Sequence, residues 1–408
     1  MILYMILGKG TSPGKEVTMS FLAEAKTLYS DMKTLKDDLH RHPESSFQEV
    51  RTTARLKELL APLGVEFIDL GMETGVVGLL RGGKPGRTVA LRADIDALEQ
   101  QEPGGGAVVS EIPNRMHGCG HDFHTAALYG AAALLSAHRA ELAGNVVFLF
   151  QPAEEFTQGA AAMIRHGLWE KLPCKPDCLF GLHNRPEVPC GQIALLPGPI
   201  MAGKSNYIVV FHGRTGHGGS PHKCIDVLVP AAAFIQGVQS VVSRNADPLE
   251  GLVCAVCSIH GGSPENFAPD EVTMTGSIRA LSEEVKAMAE RRVEELARQI
   301  AAAYGCTADF TLIPEVPVTW NGPEMTALAR RAAEAVVGPE NIVQPKPAMG
   351  SEDFAVFGRD VPAFFYWLGS GYPGREMPCW HSSQFTTDDD ALPIAAALLA
   401  QSALEGLE

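Results

Sequence analysis

The chain has 408 residues, with 33 Lys and Arg against 48 Asp and Glu and a formal net charge of −15. Hydrophobic residues make up 46% and charged residues 20%, which supplies a packed core and excludes a disordered chain. The acidic balance argues against a nucleic-acid partner and an anionic membrane surface, and no apolar run reaches the roughly 18 residues of a membrane span.

In chain order, residues 1–18 are read as a loose N-terminal extension ahead of Met19: seven apolar residues, then a stretch rich in Gly, Ser, Thr and Pro. Leu22, Ala25, Leu28, Met32, Leu35 and Leu39 recur at helical spacing, and His40-Arg41-His42-Pro43 ends that helix. A second helix is predicted over Thr52–Leu60, before Pro62 and Gly64. Apolar runs at Gly75–Leu80 and Thr88–Arg92 read as strands, and 122–138 as an Ala/Leu-rich helix. Asn145–Phe150 and Cys178–Leu182 read as buried strands. This alternation predicts an α/β layered fold with a largely parallel sheet.

The texture changes after Pro197-Gly198-Pro199. Strand Tyr207–Phe211, helix Cys224–Val242, strands Leu252–His260 and Glu271–Arg279, helix Glu283–Tyr304 and strand Ala308–Ile313 follow in order. That is the β-α-β-β-α-β pattern of a ferredoxin-like unit. From 314 the α/β texture returns, with a helix near 323–336, a strand at Ala363–Leu368 and a last helix at 389–406. The expected organisation is one α/β domain, 19–200 and 313–408, interrupted by a small domain at 201–312.

Four predicted strand or helix ends carry metal-binding residue types: His117-Gly118-Cys119-Gly120-His121-Asp122, Gln151-Pro152-Ala153-Glu154-Glu155, Gly181-Leu182-His183-Asn184, and Cys379-Trp380-His381. Thiolate, imidazole and carboxylate are the usual ligands of zinc-like ions. Each also has an ordinary reading. Cys119 could be a buried apolar Cys, His121 a helix cap, Glu154-Glu155 a solvated pair, and His183 and His381 core histidines. The adjacent glutamates suit a division of labour, one binding metal and the other moving a proton between a metal-activated water and a leaving amine. The nine Cys are odd in number and scattered. A disulfide framework is therefore not expected, and a reducing, cytoplasmic setting is.

The sequence resembles the aminoacylase, hippurate hydrolase and carboxypeptidase G metallopeptidase family. The similarity is greatest to its amidohydrolase branch, which includes hippurate hydrolases and plant auxin–amino-acid conjugate hydrolases. The resemblance covers roughly 30–395. It rests on Leu39-His40-Arg41-His42-Pro43-Glu44, Leu91-Arg92-Ala93-Asp94-Ile95-Asp96-Ala97-Leu98, the Cys119, Glu154 and His183 motifs above, Gly216-His217-Gly218-Gly219-Ser220-Pro221-His222 and Met349-Gly350-Ser351-Glu352-Asp353-Phe354.

It implies an α/β catalytic domain of the zinc-aminopeptidase-like type, two- or three-layered, with an inserted ferredoxin-like lid and dimerisation domain. It implies two divalent metal ions per subunit (Mn²⁺, Zn²⁺, Co²⁺ or Ni²⁺) bound by Cys119, His121, Glu155, His183 and His381, with Cys119 bridging and Glu154 as general base. Asp94 is expected to orient a ligand rather than bind metal, because Arg92 stands where the wider family places a metal His. His217 on the lid is expected to hold the oxyanion, often in the partner's site, and Asn266 and Arg279 to hold the substrate carboxylate. His217 could instead be a surface residue and Arg279 a solvated charge.

The implied activity is hydrolysis of N-acyl amino acids, hippurate-like or N-acetyl, to a carboxylate and a free amino acid. The implied assembly is a homodimer through the lid, with a tetramer as the alternative. Glu99-Gln100 and Phe123 depart from the family pattern, which usually has Pro-Ile and Gly there, as does Asn266-Phe267-Ala268-Pro269-Asp270. Phe123, two residues from His121, is expected to reshape the acyl pocket. Two rival readings are a cysteine hydrolase using Cys119 with His121 and a non-catalytic binding protein on the same scaffold.

Overall fold

The computed structural model describes residues 21–262 and 266–408. The extension read over 1–18 lies outside the described residues.

An eight-stranded mixed sheet forms the centre. In spatial order its strands are Glu66–Ile68, Val76–Arg81, Ala143–Gln151, Lys84–Asp94, Cys178–Pro189, Ala363–Gly371, Ile193–Ala194 and Ile342–Val343. The four middle strands, Ala143–Gln151 to Ala363–Gly371, run parallel. Val76–Arg81 and Glu66–Ile68 on one side, and Ile193–Ala194 on the other, add antiparallel pairs. The expectation of a largely parallel sheet thus holds at the centre. Within the first flank, the short connection between Glu66–Ile68 and Val76–Arg81 allows only an antiparallel pair, since parallel pairing needs a long crossover.

Alternate residues of the middle strands enter two separate cores. Val89, Leu91, Val146, Phe148, Phe180, Leu182, Phe364 and Tyr366 pack under the large helices, including His121–Ala137 and Leu392–Leu407. Ala90, Val147, Leu149, Leu179, Phe365 and Trp367 pack on the other face, against the short helices Gly159–Arg165 and Phe354–Phe357. Both faces are covered, so the fold has three layers. This burial is why these strands read as continuous apolar runs.

Two predicted helices differ at their ends. The first divides into Phe21–Thr27 and Tyr29–Arg41, where the Thr27 hydroxyl bonds back to Glu24 O at 2.7 Å and competes with the helical ladder. The helix predicted from Cys224 begins at Leu228. Ile225 instead bridges Arg214, and the Asp226 carboxylate accepts from Leu228 N at 2.7 Å, as a local cap does.

The four-stranded sheet orders Leu252–Gly261, Glu271–Ala280, Gly203–His212 and Thr307–Val316, all antiparallel. Tyr207, Val209, Phe211, Met274 and Ile278 point to the helices Leu228–Ser240 and Glu283–Ala303, meeting Phe234 and Val293. This is the ferredoxin-like arrangement. No helix among the described residues is long and apolar enough to cross a membrane.

Candidate active site

The site sits at the carboxyl ends of the parallel strands, the usual place in open α/β sheets. Cys119, Glu154, Glu155, His183, Arg279 and His381 line one cavity of about 440 Å³. His121 is fully buried beside it. Cys119 and His121 flank Gly120 at the start of the helix His121–Ala137. Gly120 has φ +86°, and an added Cβ would stand 2.5 Å from Asn184 Nδ2, so only glycine fits there. Ala153 and His381 also adopt left-handed φ values of 55° and 63°. Such backbone, costly for residues with a Cβ, concentrates at functional sites.

Five overlapping groups of potential ligands emerge among the described residues, and two of them share Cys119. The ligand atoms of Cys119, His121 and His183 lie within 4.8 Å of one another, as do those of Cys119, Glu155 and His381. Cys119 alone is common to both. Hydrogen bonds decide which ring nitrogens remain available. His121 Nδ1 faces Asp96 Oδ1 at 3.1 Å, leaving Nε2. His183 Nδ1 donates to Asn184 O at 2.8 Å, leaving Nε2 at 3.3 Å from Cys119 Sγ.

His121 Nε2 and Glu155 Oε1 are buried without a hydrogen-bond partner and lie 3.8 Å apart. Orphaned acceptors of this kind call for a cation. Together with a thiol and further imidazoles, they fit a borderline divalent metal.

Electrostatics point the same way. Burial, reinforced by Glu352, Glu155 and Asp353, raises the Glu154 pKa. Burial pushes Glu155 up to about 7, with His121 opposing and Asp96 and Asp94 reinforcing. Burial and Glu155 also raise the Cys119 thiol, the opposite of what an activated cysteine nucleophile needs. A bound cation would discharge such a cluster of buried acids.

The fourth nearby histidine is excluded as a ligand. His124 Nε2 accepts from Asn184 N at 2.9 Å, so its Nδ1 carries the proton and donates to Asp94 Oδ1 at 2.6 Å. Asp94 also binds Arg92 at 2.9 Å. It is tied to His124 and Arg92 rather than to His121 Nδ1. Asp96 faces that nitrogen, and it also accepts from Ser46 Oγ at 2.6 Å and Glu155 N at 3.0 Å. Asp96→Asn is expected to lower metal affinity about 10- to 100-fold, the usual effect of losing such a partner. A competition titration against a chromogenic chelator would measure it.

Residues 90–405 match peptidase family M20/M25/M40. The chain belongs to that family. It is 38% identical over 384 residues to an N-acetylcysteine deacetylase of Bacillus subtilis, covering 94% of this chain and 98% of that one. It is 35% identical over 401 residues to an IAA-amino acid hydrolase of Arabidopsis thaliana, covering 97% and 89%. A solved Bacillus subtilis structure, described as a dinuclear metal-binding peptidase of the M20 family, superposes with a TM-score of 0.81 at 34% identity, covering 93% of this chain and 98% of that one. As a member of the family's amidohydrolase branch, the chain is a metal-dependent hydrolase of amide bonds.

Other family motifs find structural employment. His40 bridges Asp122 Oδ2 at 2.8 Å and Glu102 Oε1 at 3.2 Å. Burial opposes its protonation, but these two acids raise its pKa to about 9. Glu44 caps the helix Val50–Leu60 by accepting from Arg51 N and Thr52 N. Trp380 donates to Asn184 O at 3.1 Å and packs edge-on against His183, 4.8 Å between ring centroids. It thereby fastens the His381 loop to the His183 strand.

Not every predicted residue converges. His217 and Asn266 are exposed, His217 on a separate two-stranded ladder and Asn266 just before its other strand, with Gly218 N donating to Asn266 O, and neither lines the cavity. Phe123 does not line it either. It is fully buried in the helix-side core, so its expected effect on the pocket is corrected: at that helix position its side chain faces the core. Sequence reasoning missed Asp96, His124, Asn184, Trp380 and Lys204. The Asp-Ile-Asp spacing was a usable signal, since residues two apart on a strand share a face.

Proposed function

We propose that this hydrolase cleaves the amide bond of N-acyl amino acids, releasing a carboxylate and a free amino acid, with two divalent ions per subunit. The observation that carries this reading is the pair of ligand groups sharing Cys119, with Glu154, a buried carboxylate in neither group, beside them. Cys119, His121 and His183 would hold one ion and Cys119, Glu155 and His381 the other. The S, N and O donors suit Mn²⁺, Zn²⁺, Co²⁺ or Ni²⁺. When bound, such ions polarise a carbonyl and lower the pKa of water to about 7.

The chain's own residues supply the rest. Glu154 takes the proton from the attacking water and returns it to the departing amine, a task suited to a carboxylate whose pKa is raised. Arg279 receives the substrate carboxylate through its guanidinium fork. In this reading residues 201–312 form a lid over a catalytic unit built from 19–200 and 313–408. The lid also pairs two copies, so that His217 and Asn266 serve the neighbouring subunit's site. Relatives named for N-acetylcysteine and IAA–amino acid substrates support the N-acyl amino acid class.

The test is amine release from N-acetyl, N-benzoyl and N-indolylacetyl amino acids, with each metal added in turn. A strong chelator is expected to lower activity at least about 100-fold, and Mn²⁺, Zn²⁺, Co²⁺ or Ni²⁺ to restore it. Activity that survives chelation would return the assignment to a cysteine hydrolase.

A further inference from the structure

We propose that Lys204 recognises a second carboxylate on the substrate, so that this enzyme prefers N-acyl amino acids carrying two acidic groups. The proposal rests on the amidase reading above and deepens it.

Lys204 lines the same cavity as Glu154, Glu155 and Arg279. It lies directly opposite Arg279 in the antiparallel pairing of Gly203–His212 with Glu271–Ala280. Opposed residues share a face, with Cβ atoms about 4.5–5.5 Å apart, and like charges so placed repel one another. Something must offset two cations set side by side on the wall of a half-enclosed pocket.

For Lys204 part of the offset is Glu315, whose Oε2 lies 2.6 Å from Nζ. Glu315 is not among the residues lining the cavity. Asn206 Nδ2 also donates to it, and the Thr157 hydroxyl, whose nearer acceptor is Phe156 O at 2.7 Å, lies 3.2 Å from it, so the lysine and the amide hold it in place. The pair is therefore oriented, with its positive end toward the cavity. An ammonium has three N–H donors, and no other acceptor for Nζ is found among the described residues.

Arg279 is less compensated. Its Nη1 donates to Met349 O at 3.0 Å and Ser351 Oγ at 3.2 Å, both neutral, and no carboxylate pairs with it among the described residues. The wall thus offers two cationic donor groups. One substrate carboxylate satisfies Arg279, and a second satisfies Lys204 and relieves the repulsion between them. Apolar lining is limited to Met201 and Trp380, with Thr157 and Ser351 adding hydroxyls. That composition suits a compact, doubly acidic substrate better than a long aliphatic chain. The second carboxylate can come from an Asp or Glu side chain in the amino-acid half or from the far end of a dicarboxylic acyl group.

The experiment compares kcat/KM for N-acetyl-L-alanine, N-acetyl-L-glutamate and N-succinyl-L-alanine, using the metal-loaded enzyme and its Lys204→Met and Lys204→Arg variants. The native enzyme is expected to favour one of the two dicarboxylates over N-acetyl-L-alanine by at least about tenfold, the scale of a charge-assisted hydrogen bond. Which one is favoured identifies the source of the second carboxylate. Lys204→Met should reduce that ratio to about threefold or less, mainly through KM, while Lys204→Arg keeps most of it. Raising the ionic strength should shrink the native preference.

Native enzyme that cleaves N-acetyl-L-alanine as well as both dicarboxylates overturns the proposal without any variant. So does a Lys204→Met loss that is equal for all three substrates. Absence of amine release from all three, under every metal, overturns the amidase reading itself and this proposal with it.

Discussion

Glu154→Gln is expected to lower kcat by about 10³-fold or more while both ions stay bound. Proton transfer by a positioned group contributes about 10²- to 10⁴-fold, and 10³-fold corresponds to about 4 kcal/mol of barrier. Gln keeps the shape of the side chain and removes only its capacity to take a proton. Glu154 is 6% exposed and belongs to neither group of ligands that shares Cys119, though it stands within ligand reach of His121 and Glu155; in the base role its loss should leave metal content unchanged. Two measurements check this: steady-state amine release and metal stoichiometry by atomic emission on the same sample. A variant that retains a tenth of native turnover would remove Glu154 from the base role. A variant that loses metal as well would make it a ligand instead. Glu155→Gln is the internal contrast, because it removes charge from the Cys119–Glu155–His381 group and should weaken metal binding first.

Much of the scaffold was legible because its signals are local. Phe148 and Phe150 on one face and Val147 and Leu149 on the other are all fully buried, and an unbroken apolar run is what such a strand must look like. The inserted unit was legible from its order of elements, since β-α-β-β-α-β closes into few sheets. The metal-type residues were legible by kind: Cys119 and His121 stand at a helix start and Glu154-Glu155 just past a strand, whereas His183 lies within the strand Cys178–Pro189 and His381 in a loop. What the sequence did not carry was the partner of each ring nitrogen. Asp94 and Asp96 are equally spaced candidates along the chain. Only the three-dimensional packing gives His124 to Asp94 and His121 to Asp96. Lys204 was missed for a similar reason. It becomes part of the cavity only once the small sheet sets it opposite Arg279 and folds over the strand ends. Phe123 shows the opposite error, in which nearness in sequence to His121 suggested nearness to the pocket.

Arg92 is where the metal site and the fold depend on the same charge. Its side chain is fully buried and ion-paired to Asp94 at 2.9 Å, Glu352 at 2.8 Å and Asp353 at 3.1 Å, while Nε donates to Gln151 Oε1 at 2.8 Å. One guanidinium thus ties the ends of two parallel strands to the turn before the helix Phe354–Phe357. Burial alone would disfavour the charged form, but Glu352, Asp94 and Asp353 hold it firmly protonated. Arg92→Met fills similar space yet leaves three buried carboxylates facing one another. Removing one partner of a buried ion pair typically costs about 3–5 kcal/mol, and the loss here is expected at the upper end of that range. Urea denaturation at fixed saturating metal measures it, since bound metal itself shifts apparent stability. Arg92→Lys should recover only part of the loss, because an ammonium cannot reproduce the planar fork that meets several acceptors at once. Glu352 lines the cavity and lies close to Glu154, so the variant should also disturb the base. If Arg92→Met unfolds at the native urea midpoint, the four-residue cluster is not what holds these strand ends together.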